Sequence, residues 1–347
     1  MFVMPRRRPI RIAARIITWL VTGLVIAVLA IIAILFLWIG SLPWAWTRVV
    51  VTAVYLLLVA SGFIFLKPRW KGVAVFAVSY AAVWLWYEWI PASNDRDWQP
   101  DVARVASVAF SGNEAVVTNV RGFAYRSVDD YDAAWETRTY DLDAITSLDL
   151  IFSYWGPREI AHTMLSFGFA GGDFLAVSVE TRKEMGETYD PLRSFFKQFE
   201  LIYILGDERD VLALRSNHRL EDMYIFPVDW SPAKRRALLV DVLERADELG
   251  REPTYYATLE ANCTTSLLAH IERVDKPVPF SIGLLLNGYI PELAYERGNL
   301  PNDAPFEEVM QRYAVSERAV AGGDGEGYSS RIRAGIQAFD GASSAGD

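Results

Sequence analysis

The stretch Glu159–Glu180, EIAHTMLSFGFAGGDFLAVSVE, decides how the water-soluble part of this chain is built. Two apolar runs flank Ala170-Gly171-Gly172, and each alternates in a way that predicts a β-strand. In the first, Ile160, His162, Met164 and Ser166 share a face. In the second, Phe174, Ala176, Ser178 and Glu180 do. A three-residue loop containing glycine is a common hairpin connection, and it sets Glu180 directly across from His162. A slip of one residue would turn Glu180 to the other face.

Short alternating runs continue on both sides. Strands are expected over Ala103–Phe110, Ala115–Asn119, Thr137–Leu142, Ser147–Phe152, Glu159–Phe169, Phe174–Val179, Leu201–Leu205 and Met223–Pro227. Helix signals come later. Ser231 and Pro232 read as cap and first residue, Gly250 as the stop, and Leu238, Leu239, Val242, Leu243, Ala246 and Leu249 keep helical spacing between them. A second helix starts near Asn262-Cys263-Thr264-Thr265. The fold class is α+β, with an antiparallel sheet first and a cysteine-bearing helix after it. Residues 316–347, rich in Gly, Ala and Ser, read as a flexible tail.

The other end of the chain differs in kind. Residues 1–91 hold nine Lys or Arg and one acid, Glu88; that net +8 leaves −17 for residues 92–347 in a chain of overall charge −9. Three apolar segments, about 16–39, 49–66 and 72–90, predict three membrane spans, each near the ~20 residues that cross a bilayer. The first is too long for a signal-peptide core, and more apolar segments follow it. Arginines before the first span and Lys67-Pro68-Arg69-Trp70-Lys71 after the second predict a cytoplasmic N-terminus. Three crossings then put residues 92–315 outside the inner membrane, in the periplasm. The spans hold no internal charge, so they read as an anchor rather than an ion path. A domain at −17 excludes nucleic acid as partner.

Reactive groups are few: one cysteine, Cys263, and three histidines, His162, His218 and His270. One cysteine excludes a disulfide framework, and no metal or organic cofactor is expected. A cysteine in the first turn of a helix capped by Asn262 meets free backbone N–H groups and the positive helix end, which favour a thiolate. The bland alternative is an inert buried thiol. His162 is the natural base and Glu180 the orienting acid, which completes the logic of thiol acyl transfer; Asn262, Thr264 and Ser178 are supporting residues. His270 lies two turns from Cys263 and is too far to be its partner. His218 reads as surface. Asp207-Glu208-Arg209-Asp210 reads as a turn with internal ion pairs rather than a metal site.

His162-Thr-Met-Leu-Ser-Phe, Leu175-Ala-Val-Ser-Val-Glu180-Thr-Arg182, Asp207–Asp210 and Asn262–Thr265 together resemble the periplasmic domain of Lnb-type lipoprotein N-acyltransferases. Asn119–Phe123 and Tyr140–Leu142 extend the likeness, which spans about residues 94–280. The histidine-then-cysteine order is also that of circularly permuted papain-like folds such as lecithin:retinol acyltransferase and the NlpC-type peptidases. The resemblance implies a thiol enzyme carrying an acyl group on Cys263 with His162 as base. The acyl donor would be a phospholipid, and the acceptor an amine such as a lipoprotein N-terminus. One departure stands out: in the family's founding members the membrane helices follow this domain, and here they precede it. Hydrolysis of envelope peptides or lipids on the same site, and a non-catalytic membrane-anchored binding or sensory domain, are the competing expectations.

Overall fold

The computed structural model describes residues 8–40, 42, 44–277, 286–298, 300–301 and 303–336. Arg6, Arg7 and the last stretch of the expected tail, 337–347, lie outside them. The chain divides into two compact units at Pro91/Ala92, with residues 196–198 grouped with the first.

In the first unit, helices α1 (Arg8–Ile39), α2 (Ala45–Phe65) and α3 (Trp70–Glu88) share a small core around Ala33, Leu37, Tyr55 and Phe76. Gly62 and Gly72 allow α2 and α3 to approach closely, since a β-carbon on Gly72 would meet Phe63 and the Gly62 backbone. Small residues do this at membrane helix interfaces. Most other apolar side chains point outward; Leu20, Leu24 and Leu57 are each about two-thirds exposed. Among the described residues two helices, Ile12–Ile39 and Ala45–Phe65, are long and apolar enough to cross a membrane. Against the three spans expected, these two meet that measure, and the third segment, about 72–90, falls short of it. The third segment is a helix, but Trp70, Lys71, Gly72, Ser79, Tyr80, Tyr87 and Glu88 dilute its apolar content.

The second unit is mixed α+β. Its strands are β1 (Ser107–Ser111), β2 (Glu114–Arg121), β3 (Ala124–Tyr125), β4 (Tyr131–Asp132), β5 (Trp135–Asp141), β6 (Ile145–Tyr154), β7 (His162–Phe169), β8 (Phe174–Arg182), β9 (Glu200–Gly206) and β10 (Asp222–Pro227). An eight-stranded sheet runs β1-β2-β9-β8-β7-β6-β10, with β5 also paired to β2 and β3-β4 forming a separate ribbon. Pairing is antiparallel except at one β2–β9 contact, Arg121 with Gly206. In the β7–β8 hairpin Met164 faces Ser178 and Leu165 faces Val177. That register follows from the three-residue loop, where Gly172 takes φ 88°, a conformation glycine adopts freely.

Helices cover both sheet faces. α4 (Glu208–Val211) follows β9 directly, α5 is Pro232–Arg251 and α6 is Cys263–Val274. α5 and α6 pack on the face that carries Leu165, Phe167, Val177 and Val179. The opposite face, with Met164, Ala176, Ile202 and Ile204, is covered by residues 211–213 and by the C-terminal segment. β7 is consequently buried along its whole length rather than on one face. Beyond residue 289 come α7 (Ile290–Glu296), α8 (Phe306–Tyr313), α9 (Ser316–Ala321) and α10 (Tyr328–Ile332). Residues 316–336 are therefore not a loose tail. Val315, Ala319, Tyr328 and Ile332 are fully buried, because they share with residues 211–213 the covering of the second sheet face.

Candidate active site

Cys263 opens α6. Asn262 caps that helix: its side-chain oxygen accepts from the backbone N–H of Thr264 and Thr265, both at 2.8 Å, and the Thr265 hydroxyl accepts from the Asn262 N–H at 2.9 Å. This reciprocal box holds the first turn rigid. The Cys263 thiol is nearly buried, at 8% exposure. The Thr163 backbone N–H and the His162 imidazole both reach its sulfur, while the Thr264 hydroxyl and the Asn287 amide lie 3.9 Å from it. The Cys263 backbone N–H in turn reaches the Tyr256 hydroxyl.

His162 begins β7, where the strand end brings it beside Cys263. Its Nε2 lies 2.7 Å from Ser178 Oγ and 3.3 Å from Glu180 Oε1. The Ser178 hydroxyl donates to Glu180 Oε1 at 2.6 Å, so it accepts from His162, and Nε2 carries the proton. The other ring nitrogen is left for the thiol. Glu180 Oε1 also accepts from Arg215 Nη2 at 2.8 Å, and Arg215 Nη1 reaches Glu221 Oε2 at 3.2 Å. Ser153 closes the chain on Glu221 at 2.5 Å. A line of hydrogen bonds thus runs from His162, beside the sulfur, through Ser178, Glu180 and Arg215 to Glu221.

The electrostatics follow from these contacts. Burial pulls the His162 imidazole down, and so does Arg215, but Glu180 and the Cys263 sulfur outweigh them and hold it up at about 9. Burial opposes a charged thiolate at Cys263; the neighbouring imidazole and the N–H donors overcome it, and the thiol is lowered from its ordinary value. Burial likewise opposes ionised Glu180, yet His162 and Arg215 hold it well below the usual carboxylate range. The three shifts all favour thiolate, imidazolium and carboxylate, the arrangement that activates a cysteine nucleophile.

A cavity of about 430 Å³ opens over Cys263, His162 and Glu180, within the size range of small-molecule sites. Trp155, Ile160, Tyr189 and Phe195 supply an apolar rim, each about half exposed.

The structure thus brings together Cys263, His162, Glu180, Ser178, Asn262 and Thr264. It also adds Arg215, Glu221, Tyr256 and Asn287, which the sequence reading did not single out. Arg215 sits in a π-helical turn, Leu214–His218, far from Glu180 in the chain, and no spacing links the two. Asn287 bonds the Ala161 backbone and the Thr264 hydroxyl across the site, again without a sequence signal. His270 lies elsewhere, with Asp241 on one ring nitrogen and the Tyr203 hydroxyl, 2.9 Å away, on the other. His218 is half-buried and faces Asp324. In the Asp207–Asp210 run, Asp207 caps α4 and pairs with Arg138 and Arg209, Asp210 pairs with Arg121, and Glu208 with Arg333. Of the internal ion pairs expected, only Asp207–Arg209 is present among the described residues; the other partners lie far away in the chain. Among the described residues no group of three His, Cys, Asp or Glu side chains is placed to hold a metal.

No curated protein and no solved structure matches the chain. Residues 131–288, which contain His162, Glu180, Cys263 and Asn287, match the family model of the Lnb N-terminal periplasmic domain, and this supports an Lnb-type, membrane-associated protein.

Proposed function

We propose that this protein is a membrane-anchored cysteine acyltransferase that passes an acyl chain from a phospholipid through a Cys263 thioester to an amine, such as a lipoprotein N-terminus. The observation that carries the reading is Cys263 at a helix start beside His162, with half-buried Glu180 behind the imidazole, all lining one cavity with an apolar rim. The Cys263 thiolate attacks the ester carbonyl. The carbon–oxygen bond breaks, and the lysolipid oxygen takes the proton from His162. In the second half the amine attacks the thioester, His162 removes its proton, and the thiolate leaves. The histidine-before-cysteine order fits a permuted papain-like arrangement.

For the domain to face the periplasm from a cytoplasmic N-terminus, α3 must cross as well. Tryptophans 84, 86 and 89 would then mark its outer end. Alkaline phosphatase fused after residue 336 tests this: activity in whole cells is expected, and a silent fusion would overturn the topology.

Intact-mass analysis of the full chain after exposure to phospholipid in detergent tests the chemistry. The expected result is a gain of one acyl chain at Cys263, released by an added amine and absent in Cys263→Ser. A peptide adduct on Cys263 would instead indicate a peptidase or amidase. Full in-cell function of both Cys263→Ser and His162→Ala at normal abundance would overturn any enzymatic role and leave a binding or sensory domain.

A further inference from the structure

Between β8 and β9 the chain makes a 3-10 turn, Arg193–Phe195. Leu192 and Phe195, on either side of Ser194, are each more than half exposed, and so is Leu259. Leu259 belongs to another loop, but the residue before it fastens that loop to the turn. The Thr258 N–H donates to the Ser194 carbonyl at 3.3 Å, and the Thr258 hydroxyl donates to Ser194 Oγ at 3.0 Å. Three exposed apolar side chains thus gather around one buried serine. The charges beside them are few: Asp190, which caps the turn by accepting from the Leu192 and Arg193 N–H groups at 2.8 and 3.0 Å, and exposed Arg193 and Glu260.

The covalent chain ties this patch to the level of the membrane. Phe195 is bonded to Phe196, where the chain passes for three residues into the first unit. Phe196 meets Phe36 edge-on with ring centres 5.9 Å apart. Lys197 donates from its backbone N–H to the Tyr87 hydroxyl at 2.5 Å and from Nζ to the Glu88 carbonyl at 2.8 Å. Phe36 stands three residues from the end of the Ile12–Ile39 span. The 28 helical residues of that span are about 42 Å long, the thickness of the hydrocarbon together with both headgroup layers. Phe36 therefore lies close to the boundary between hydrocarbon and headgroups. At no more than about 3.6 Å per residue, Leu192 and Phe195 lie within about 14 Å of Phe196. That closeness follows from the peptide bonds, whatever the arrangement of the two units.

We infer that Leu192, Phe195 and Leu259 form a lip seated in the headgroup layer of the bilayer that α1 spans. The seat is shallow, because Asp190, Arg193 and Glu260 keep it out of the hydrocarbon, where charge is costly. Phe195 also lines the cavity, as do Thr258 and Asn262, and the Asn262 amide donates to the Thr258 carbonyl at 2.6 Å. The lip is thus the lipid-facing edge of the cavity, tied through Ser194, Thr258 and Asn262 to the helix start that carries Cys263. An acyl chain then passes from the leaflet to the thiol without crossing water. The inference rests on the membrane anchor and not on acyl transfer; it holds equally for a lipid hydrolase.

The test exploits the chain's single cysteine. In a Cys263→Ser background, Leu192→Cys, Leu259→Cys and, within α1, Leu24→Cys each receive a nitroxide label. The full-length protein is placed in vesicles of phosphatidylethanolamine and phosphatidylglycerol, and electron paramagnetic resonance measures collisions with oxygen, which concentrates in lipid, and with a water-soluble nickel chelate. At positions 192 and 259 oxygen is expected to dominate, at a depth of about 5–10 Å and shallower than at position 24. Adding Leu259→Asp should lift the label at position 192 toward water; an unchanged depth overturns the joint lip. Nickel dominating at 192 and 259 while position 24 reads as lipid overturns the lip as well, and nickel dominating at all three removes the anchor on which it rests. Dipolar broadening at position 192 that vanishes on dilution with unlabelled protein assigns the patch to a second copy and overturns lipid as its occupant. The labelled protein lacks the Cys263 thiol, so no outcome depends on the chemistry of the site, and failure to form an acyl adduct on Cys263 leaves the lip standing.

Discussion

At the scale of single residues the site is governed by one shared oxygen. Glu180 Oε1 takes bonds from Ser178, His162 and Arg215 at once, which fixes the imidazole and keeps the carboxylate charged. His162 is raised to about 9 in the fold, so its positive charge is present below its unfolded value and persists until pH rises through about 9. The thiol is lowered in the fold, and the imidazolium that lowers it persists across that window. Alkylation of Cys263 should therefore vary little between pH 7 and 8.5. In His162→Ala the rate at pH 7 should fall by about tenfold or more, one decade for each unit the thiol rises, and climb steeply with pH. Superimposable pH profiles would remove His162 from the site. Arg215 is the second lever. Arg215→Met strands buried Glu221 and half-buried Glu180 and is expected to cost about 3–5 kcal/mol in urea unfolding, with part recovered by adding Glu221→Gln. Full stability of the single variant would mean that the pairs contribute little.

At the scale of elements, α6 and the β7–β8 hairpin do the positioning. The cap on α6 ties the thiol to a fixed helix start, because Asn262 receives two N–H groups and donates to Thr258 O at 2.6 Å. Asn262→Ala should cost about 1 kcal/mol and also slow alkylation, since a frayed first turn lets the sulfur move away from His162 and the Thr163 N–H. A stability loss with unchanged thiol reactivity would make the cap structural only. β9 ends on a close approach: a β-carbon on Gly206 would lie 2.7 Å from Val211 and 2.9 Å from the Arg121 carbonyl. This tight corner turns the chain from the sheet into α4 and sets up the π turn that presents Arg215.

At the scale of the whole molecule, the C-terminal segment completes the second sheet face. Arg333 reaches Asp149 at 2.7 Å and Glu208 at 2.8 Å, both carboxylates being almost wholly buried. Arg333→Ala leaves them facing each other and should cost about 3–5 kcal/mol at neutral pH. Burial already raises Asp149 even with Arg333 present. A carboxyl whose folded value is raised gains stability as pH falls toward its unfolded value, and losing the cation strengthens this. The gap between variant and native protein in denaturant midpoint should therefore narrow from pH 8 to pH 5. A gap that stays constant would separate the loss from these carboxylates.

The features that the sequence alone determined were those with local causes. Charge-free apolar runs marked the N-terminal helices, alternation marked the strands, and a three-residue glycine loop placed Ser178 opposite Met164, hence Glu180 beside His162. The Asn262 cap placed Cys263 in a helix's first turn. Legibility ended where the cause was distant or graded. The third N-terminal run formed a helix, but polar and aromatic side chains hold it below the two clear spans. Residues 316–336 looked loose because composition reports only local preference, while an uncovered sheet face gave their few apolar side chains a place to bury. Arg215, Glu221, Tyr256 and Asn287 come from separate loops and helices, and only the closure of the sheet end by α6 and the π turn sets them around one sulfur. Tertiary structure decided that convergence, because side chains so far apart in the chain are brought together by long-range packing and not by any periodicity along it.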